Sequence, residues 1–442
     1  MEGQVLYKPL NRNVKMFPSL LALSWDMFFV WTISTLFFST QKGLSFSQIV
    51  TLDSILMFSG CLLCVPTEKL LNKLSSLWAT RIGLLGYAIY ILICIFGKSY
   101  FVFILAQPFL SFGYVACGVR CNDILVNSLA MLKKDSQYDR IYGRGLSMFY
   151  VLEAIGAVAT TYVYNSNPYA CYWMSFSIVL FTIAFTFIFK EPEKCFERNV
   201  DLTHNSKNQS NTQQAKPDHV KPDSYKVILS SGFFICLLLY MFFMRGTLSI
   251  VMSSFRMFIQ QQSGFGNLSI LSLGYLVAVA DLCSAIASRF QCKFNLKFGV
   301  RCSIIFTSMT VFTFYLKSIF MVIDPMNFGL VVGVIVIVFA QSFIMAPCRI
   351  FVNNYMQVCI SKKNINRAYS IRIMVEYLGY AIISALYALL LEVFNNNFGL
   401  TNLVYISILV VPLSLTLIFF IRALVKKHTE KFTIIKDEYT KD

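Results

Sequence analysis

The stretch RGLSMFYVLEAIG (residues 144–156) recurs in altered form as RAYSIRIMVEYLG (residues 367–379). Both stretches carry an arginine, a serine, a glutamate and a glycine at the same spacing, 223 residues apart. A second match, between residues 69–81 and 289–301, repeats the spacing of three basic residues at an offset of 220. Two separate matches at similar offsets predict a duplicated unit, so the chain should contain two parallel copies of one structural repeat.

The composition is typical of a membrane protein. The chain is 57% hydrophobic and only 14% charged, whereas soluble domains carry about 25% charged residues. Apolar runs of roughly 20 residues are long enough to cross a bilayer as helices. We therefore predict an all-α membrane protein with twelve transmembrane helices in two six-helix pseudo-repeats. Its parts are a cytoplasmic N-terminal tail (1–17), an N-terminal six-helix bundle (18–189), a cytoplasmic linker (190–226), a C-terminal six-helix bundle (227–424) and a cytoplasmic C-terminal tail (425–442).

The positive charge follows this topology. Thirty of the 38 Lys and Arg residues fall in the tails, the linker and alternate connectors, and only Lys42, Lys98 and Lys317 fall on the opposite side. This bias predicts a multi-pass protein of the cell membrane with both termini cytoplasmic. Attraction to anionic lipid accounts for the net charge of +16 without a nucleic-acid partner.

Several function classes lack their usual residues. The chain has no G-x-x-x-x-G-K-[ST] phosphate loop, and its three histidines, His204, His219 and His428, lie in the linker or the tail. A membrane metalloenzyme or a histidine-based catalyst therefore has no ligands or base within the spans. We expect no enzyme activity, no metal, no cofactor and a monomer.

Charged residues inside the predicted spans are the candidates for function. Each costs roughly 2.5–3.5 kcal/mol at mid-bilayer on insertion scales, so each should face a partner or a wet cavity. The acids are Asp26, Asp53, Asp123, Glu153, Asp281 and Glu376, and the bases are Arg120, Arg245, Arg256, Arg349 and Arg372.

Depth selects Asp26, Glu153 and Glu376 as candidates for proton coupling or substrate binding. Glu153 and Glu376 each follow a basic residue by nine positions, which places them about 13 Å into their helices. Arg372 stands four residues before Glu376 and can pair with it on one helix face, so this pair is either neutral and structural or functional. Glu153 has no basic residue three or four positions away. It is either a proton carrier or a protonated, hydrogen-bonded glutamate.

The remaining candidates are assigned by position. Asp53 and Arg245 fall in the predicted outer half, where they could form an external gate or bind substrate. Aromatic side chains of the first and seventh spans could line a cavity or pack against lipid; they are Trp25, Trp31, Tyr240 and Phe243. Residues near the cytoplasmic ends are candidates for gating or a cytoplasmic network, and they are Glu68, Lys69, Lys73, Arg120, Asp123, Arg144, Arg349 and Arg367.

This arrangement resembles the major facilitator superfamily. Six plus six spans in parallel repeats, cytoplasmic termini and a polar central linker are its architecture, and its motif after the second helix reads roughly G-x-x-x-D-R-x-G-R-R. Here Glu68 and Lys69 stand in place of the Asp-Arg pair, Lys73 falls near the later basic position, and the glycines are missing. The segment from Asp123 is similar to permeases of Gram-positive bacteria. The resemblance implies a central cavity lined by the first and seventh helices.

We therefore expect a secondary transporter that moves a small organic molecule by alternating access. Proton coupling is favoured, and export is favoured over uptake. A nutrient or metabolite symporter is the alternative, as is a membrane sensor or lipid-moving protein that keeps the fold without transporting a solute.

The topology can be tested by labelling single cysteines placed in a cysteine-free background. Positions Lys42 and Asn396 should react only with reagent added outside, and positions Lys134 and Gln213 only from inside. Outside labelling at Gln213 would contradict the six-plus-six topology.

Overall fold

The computed structural model describes residues 2–25, 27–71, 74–132, 134, 137–191, 232–264, 270–323, 327–345, 356 and 365–427, and for some of these the backbone only. Every regular element among them is helical. The helices of the first half are α1 (Glu2–Ser24), α2 (Phe28–Trp31), α3 (Ser34–Thr40), α4 (Phe46–Leu71), α5 (Ser76–Phe96), α6 (Tyr100–Leu132), α7 (Tyr138–Ser166) and α8 (Pro168–Phe185), followed by a short 3₁₀ turn (Thr186–Ile188). Those of the second half are α9 (Gly232–Gly264), α10 (Ile270–Ile323), α11 (Phe328–Met345), α12 (Ile365–Val393) and α13 (Phe398–Lys427).

The membrane-spanning segments agree with the predicted fold class. Within the described residues, ten helical segments are long and apolar enough to cross a bilayer. The seventh and ninth predicted spans correspond to shorter apolar segments, Phe234–Met244 and Ser308–Ile323. The sequence predicted a connector between the eighth and ninth spans, but the backbone is helical throughout α10. Helices suit such a chain because their backbone groups are satisfied internally, and lipid offers no other partner.

The first span begins earlier than predicted and is interrupted. Helix α1 includes most of the residues assigned to the N-terminal tail, and Leu10 and Phe17 within it are buried. The helix ends at Ser24, and two short helices, α2 and α3, complete the crossing to Thr40. Non-helical backbone at membrane depth is tolerated where it lines a cavity, which makes this break a marker for the functional site.

Small residues bring the two halves together along two long helix pairs. Helix α4 packs on α12, where Gly60 lies under the ring of Tyr377. Helix α7 packs on α10, where Gly274 lies against Ala157 and Thr161. Close approach at such positions lets van der Waals packing hold helices together in lipid, where the hydrophobic effect between helices is absent.

The repeat glycine Gly379 occupies a close crossing within the second half. A Cβ atom there would lie 2.9 Å from both the Cα atom and the carbonyl carbon of Phe242 on α9. Backbone atoms cannot move aside as a flexible side chain can. Because small residues let helix backbones approach, the glycine that recurs in both repeats predicts a close crossing here and at its counterpart, Gly156, which is buried in α7.

The substitution Gly379→Ala should therefore lower the melting temperature of the purified protein in detergent. Overpacking of this kind costs about 1–3 kcal/mol. Gly118→Ala in α6 is the matched control, because a Cβ atom there meets nothing within 4 Å. The control should be neutral or stabilising, since alanine is the better helix former by about 0.5–1 kcal/mol. Equal melting temperatures for the two variants would contradict a close crossing at Gly379.

Candidate functional site

A small cavity lies where the first span is broken. Its volume is about 30 Å³, room for about two water molecules. Helices α2 to α6 of the first half supply almost all of its wall, and one side chain, Arg256 of α9, reaches it from the second half. The polar groups on the wall come from Ser34, Thr35, Asp53, Tyr90, Gln107 and Arg256.

Arg256 joins the two halves at this cavity. Its guanidinium donates a hydrogen bond of 3.0 Å to the backbone carbonyl of Trp31 and stacks over the Trp31 indole, with its central carbon 5.0 Å from the ring centre. The side chain is only 5% exposed. A stacked, hydrogen-bonded guanidinium suits a buried site because it is more weakly hydrated than an ammonium.

Asp53 is the acid of the cavity wall, and Arg256 lines the same wall from the second half. The sequence analysis left open whether Asp53 and Arg245 form an external gate or bind substrate, and the side chain of Arg245 lies outside the described part of the chain. Arg256 is eight residues from the end of α9 at Gly264, so about 12 Å inside the helix. The predicted seventh span, residues 227–256, ends at this residue, whereas the helix continues to Gly264.

Arg372 and Glu376 form the pair that their i, i+4 spacing predicted. The atoms Arg372 Nη1 and Glu376 Oε1 are 3.2 Å apart on α12, and the two side chains are 6% and 7% exposed. The distance is that of an ion pair, although the angle does not meet hydrogen-bond criteria. Each charge therefore compensates the other within the apolar helix.

Glu153 lies at the middle of α7 and is 7% exposed. The sequence gave it no basic neighbour on its own helix, yet its side chain has a partner in the folded chain. Both predicted roles, proton carrier and hydrogen-bonded glutamate, stay open for Glu153. Ala154 and Ala157 beside it pack on α10 of the second half, so Glu153 belongs to the helix pair that joins the halves.

Sequence and structure comparisons place this architecture in a family. A family model described as the Major Facilitator Superfamily matches residues 16–384. The chain belongs to the major facilitator superfamily. Crystal structures of the nucleoside transporter NupG and of a mutant of it are similar, with TM-scores of 0.67 and 0.68 and identities of 12% and 13%. They cover 92% of this chain, and 99% and 100% of their own chains are matched. No curated protein matches the sequence.

Membership confirms the resemblance drawn from the sequence and makes the chain a multi-pass secondary transporter. The structural similarity to NupG, at 12% and 13% sequence identity, shows a shared fold and no more than that. The cavity, broken first span and inter-half arginine described above are therefore features of a transporter core, and a small-molecule substrate and a lipid bilayer are its partners.

The cytoplasmic-network candidates are only partly described. Arg120 pairs with Asp123 at 2.8 Å on α6 and donates to the carbonyl of Leu74 at 2.9 Å, which ties α6 to the connector between α4 and α5. Arg144 is exposed on α7. The side chains of the other candidates lie outside the described residues, and they are Glu68, Lys69, Lys73, Arg349 and Arg367.

The aromatic candidates separate into cavity and packing roles. Trp31 lines the cavity. Trp25 packs at 6.5 Å from the ring of Tyr142, away from the cavity wall. Tyr240 is fully buried in the second half, with a 3.0 Å hydrogen bond to Ser308. Phe243 packs at 5.0 Å on Phe242. Asp26, the acid that follows Trp25 in the sequence, lies outside the described residues.

Lys317, which the sequence analysis counted on the outer side, is a buried base near the C-terminal end of α10. Its ammonium donates to the Ser254 hydroxyl at 3.2 Å and lies 4.5 Å from the centre of the Phe314 ring. Only its position within a predicted span, between apolar neighbours, could have indicated burial.

The Arg372–Glu376 pair can be tested by a double-mutant cycle for melting temperature. Glu376→Gln should destabilise the protein, because removing one partner of a buried pair costs about 3–5 kcal/mol. Replacing both, as Arg372→Met with Glu376→Leu, should restore most of the stability, because no charge is left uncompensated. Glu392→Gln, at an exposed position of the same helix, is the matched control and should be neutral. Wild-type stability of Glu376→Gln would mean that the pair is not an energetic unit.

Proposed function

We propose that this transporter moves a small polar organic molecule by alternating access, driven by a proton gradient. The observation that carries the proposal is the meeting of Asp53 from the first half with Arg256 from the second at one cavity. Ligand sites of such transporters form where the repeats meet. A solute bound there can contact an acid of one half and a base of the other at the same time.

The chemistry of the wall supports a polar solute. Hydroxyl groups, the Gln107 amide, the Asp53 carboxylate and the Arg256 guanidinium offer both donors and acceptors. In a low-dielectric site these groups favour a solute that satisfies them, because an unpaired buried polar group is costly. The cavity of about 30 Å³ must widen to admit an organic molecule, which is what rocking of the two halves would achieve.

Buried acids support proton coupling. Asp53, Glu153 and Glu376 all lie in membrane-spanning helices, and Asp26 belongs to the same class by sequence. A carboxyl group crosses from one side of the barrier to the other more cheaply in its protonated, neutral form. A cycle in which an acid takes up a proton on one side and loses it on the other therefore couples the gradient to alternation.

Nucleosides are reasonable first probes, because NupG, which shares the fold, is described as a nucleoside transporter. Their ring and hydroxyl groups would match an aromatic, hydrogen-bonding wall. The proposal retains export as the favoured direction, and solutes enclosed in vesicles before the gradient is imposed will test it.

Arg256→Gln should abolish gradient-driven solute movement in proteoliposomes. We suggest a solute panel that includes nucleosides, with trapped solute measured by mass spectrometry and internal pH followed by an enclosed dye. The wild type should move at least one solute faster under a pH gradient than without one. The variant removes the charge that the second half contributes to the cavity, so transport of that solute should fall to the level of protein-free vesicles.

Arg140→Gln is the matched control, because Arg140 is exposed near the start of α7; it should transport at the wild-type rate. Gradient-independent movement in the wild type would contradict proton coupling. Wild-type transport in Arg256→Gln would remove the cavity from the mechanism. A protein that moves no member of the panel but changes internal pH on solute addition would favour the sensor alternative.

A further inference from the structure

The Arg256 guanidinium has hydrogen-bonding capacity that the described residues leave unused. Its face stacks over the Trp31 indole, and its Nη1 atom donates to the Trp31 carbonyl at 3.0 Å. The Nε atom has no hydrogen-bond partner among the described residues, although the residue is only 5% exposed. A buried donor without a partner is costly, so a ligand that supplies acceptors to the edge formed by Nε and Nη2 is favoured. A carboxylate fits this edge, because it accepts two parallel hydrogen bonds from one guanidinium.

The first half offers acceptors to the same cavity. Asp53 and Gln107 both line its wall. No described residue donates a hydrogen bond to the Asp53 carboxylate. Gln107 donates its amide nitrogen to the Phe103 carbonyl at 3.0 Å, so its amide oxygen remains as an acceptor for a ligand. A ligand group with several N–H donors and no acceptor, such as an ammonium, matches these two side chains.

The charges on the wall select the net charge of the ligand. Asp53 and Arg256 together carry no net charge, and both lie on helices of the apolar interior. An anionic ligand on Arg256 would leave the Asp53 carboxylate uncompensated, and a cationic ligand on Asp53 would leave the guanidinium uncompensated. Buried charges without compensation are costly. A ligand with one positive and one negative pole compensates both groups and leaves the site neutral.

The size of the cavity limits the distance between the two poles. Its volume of about 30 Å³ is room for about two water molecules, so a short ligand requires the least widening. Much of the remaining wall is apolar and includes Phe38, Leu52 and Leu56, which suit a small aliphatic group. An α-amino acid with a small side chain meets these requirements, since its ammonium and its carboxylate are attached to one carbon atom.

We infer that the solute is a small α-amino acid, whose carboxylate binds the Nε–Nη2 edge of Arg256 and whose ammonium binds Asp53 and Gln107. This inference rests on the proposed function, because it names the solute of the proposed site. Arg256 belongs to the second half, and the two acceptors belong to the first. Both poles are therefore bound only while the halves are close together at the cavity. A solute with a single pole is held by one half and gives no such closure.

A ligand series on the wild type tests the need for both poles. Melting of the full-length protein in detergent can be followed with a thiol-reactive dye, because buried free cysteines such as Cys94 and Cys121 become accessible on unfolding. A ligand that binds the folded protein raises the melting temperature in a concentration-dependent way. L-Alanine should do so. Propionate, which lacks the ammonium, and ethylamine, which lacks the carboxylate, should bind at least about tenfold more weakly at matched ionic strength.

The same series has two outcomes that overturn the inference. One is a single-pole compound that binds as tightly as alanine. The other is the absence of any increase in melting temperature with glycine, alanine or serine.

Two variants assign the poles to their side chains. Asp53→Asn should remove the advantage of alanine over propionate and keep its advantage over ethylamine, because only the ammonium loses its partner. Arg256→Gln should do the reverse. Arg140→Gln, at an exposed position, is the matched control and should keep both preferences. A variant at Asp53 or Arg256 that keeps both preferences would overturn the assignment.

The variants do not have to be stable for the inference to be tested. If either is not monodisperse, the wild-type series still decides the class of solute, and Arg256→Lys decides the carboxylate site. A lysine keeps the charge but has no planar edge for two hydrogen bonds. This variant should therefore keep both preferences and bind alanine more weakly. Unchanged affinity for alanine would overturn the role of the Arg256 edge.

The melting series separates this inference from the proposed function, because it uses no gradient. Binding of alanine through both poles would support the amino-acid site even if proteoliposomes showed no gradient-driven movement. Conversely, gradient-driven transport of a nucleoside by a protein that binds no small amino acid would keep the proposed function and overturn the inference.

Discussion

A charge buried inside a membrane protein must be compensated, and this constraint organises the interior of the transporter. Arg372 and Glu376 compensate each other within one helix. Arg120 and Asp123 also compensate each other within one helix, and Arg120 donates to the carbonyl of Leu74 in the connector between α4 and α5. Arg256 is stabilised across the boundary between the halves, by the Trp31 carbonyl to which it donates and on a cavity wall that it shares with Asp53. Pairs within a helix survive any motion of the halves, whereas compensation across the boundary changes when the halves move.

The interface between the two halves can separate at a modest cost in free energy. Apolar contacts between helices have no hydrophobic driving force in lipid, and polar links between the halves include Ser54 to Ser384 at 2.8 Å and Tyr162 to Tyr275. Interhelical hydrogen bonds in a membrane average about 0.6 kcal/mol. These two bonds amount to about 1 kcal/mol, while a solute with a millimolar dissociation constant binds with about 4 kcal/mol. Solute binding can therefore exceed the cost of breaking these links.

The sequence was informative where a rule is local. Apolar runs predicted the fold class, the i, i+4 spacing predicted the Arg372–Glu376 pair, and the repeat predicted a close crossing at Gly379. It was less informative where a role depends on packing between distant segments. Asp53 was recognised as an outer-half acid, yet nothing along the chain shows that it lines one cavity with Arg256, which is about 200 residues away.

A link across the boundary differs physically from a pair within one helix. Arg372 and Glu376 move together, so motion of the halves leaves their charges compensated. Arg256 is carried by the second half, whereas the Trp31 carbonyl and Asp53 belong to the first, so separation of the halves at this level would leave the guanidinium without these neighbours. Allosteric coupling between sites is typically worth 1–3 kcal/mol, comparable to the cost of the links between the halves, so a solute that replaces these contacts is sufficient to bias alternation.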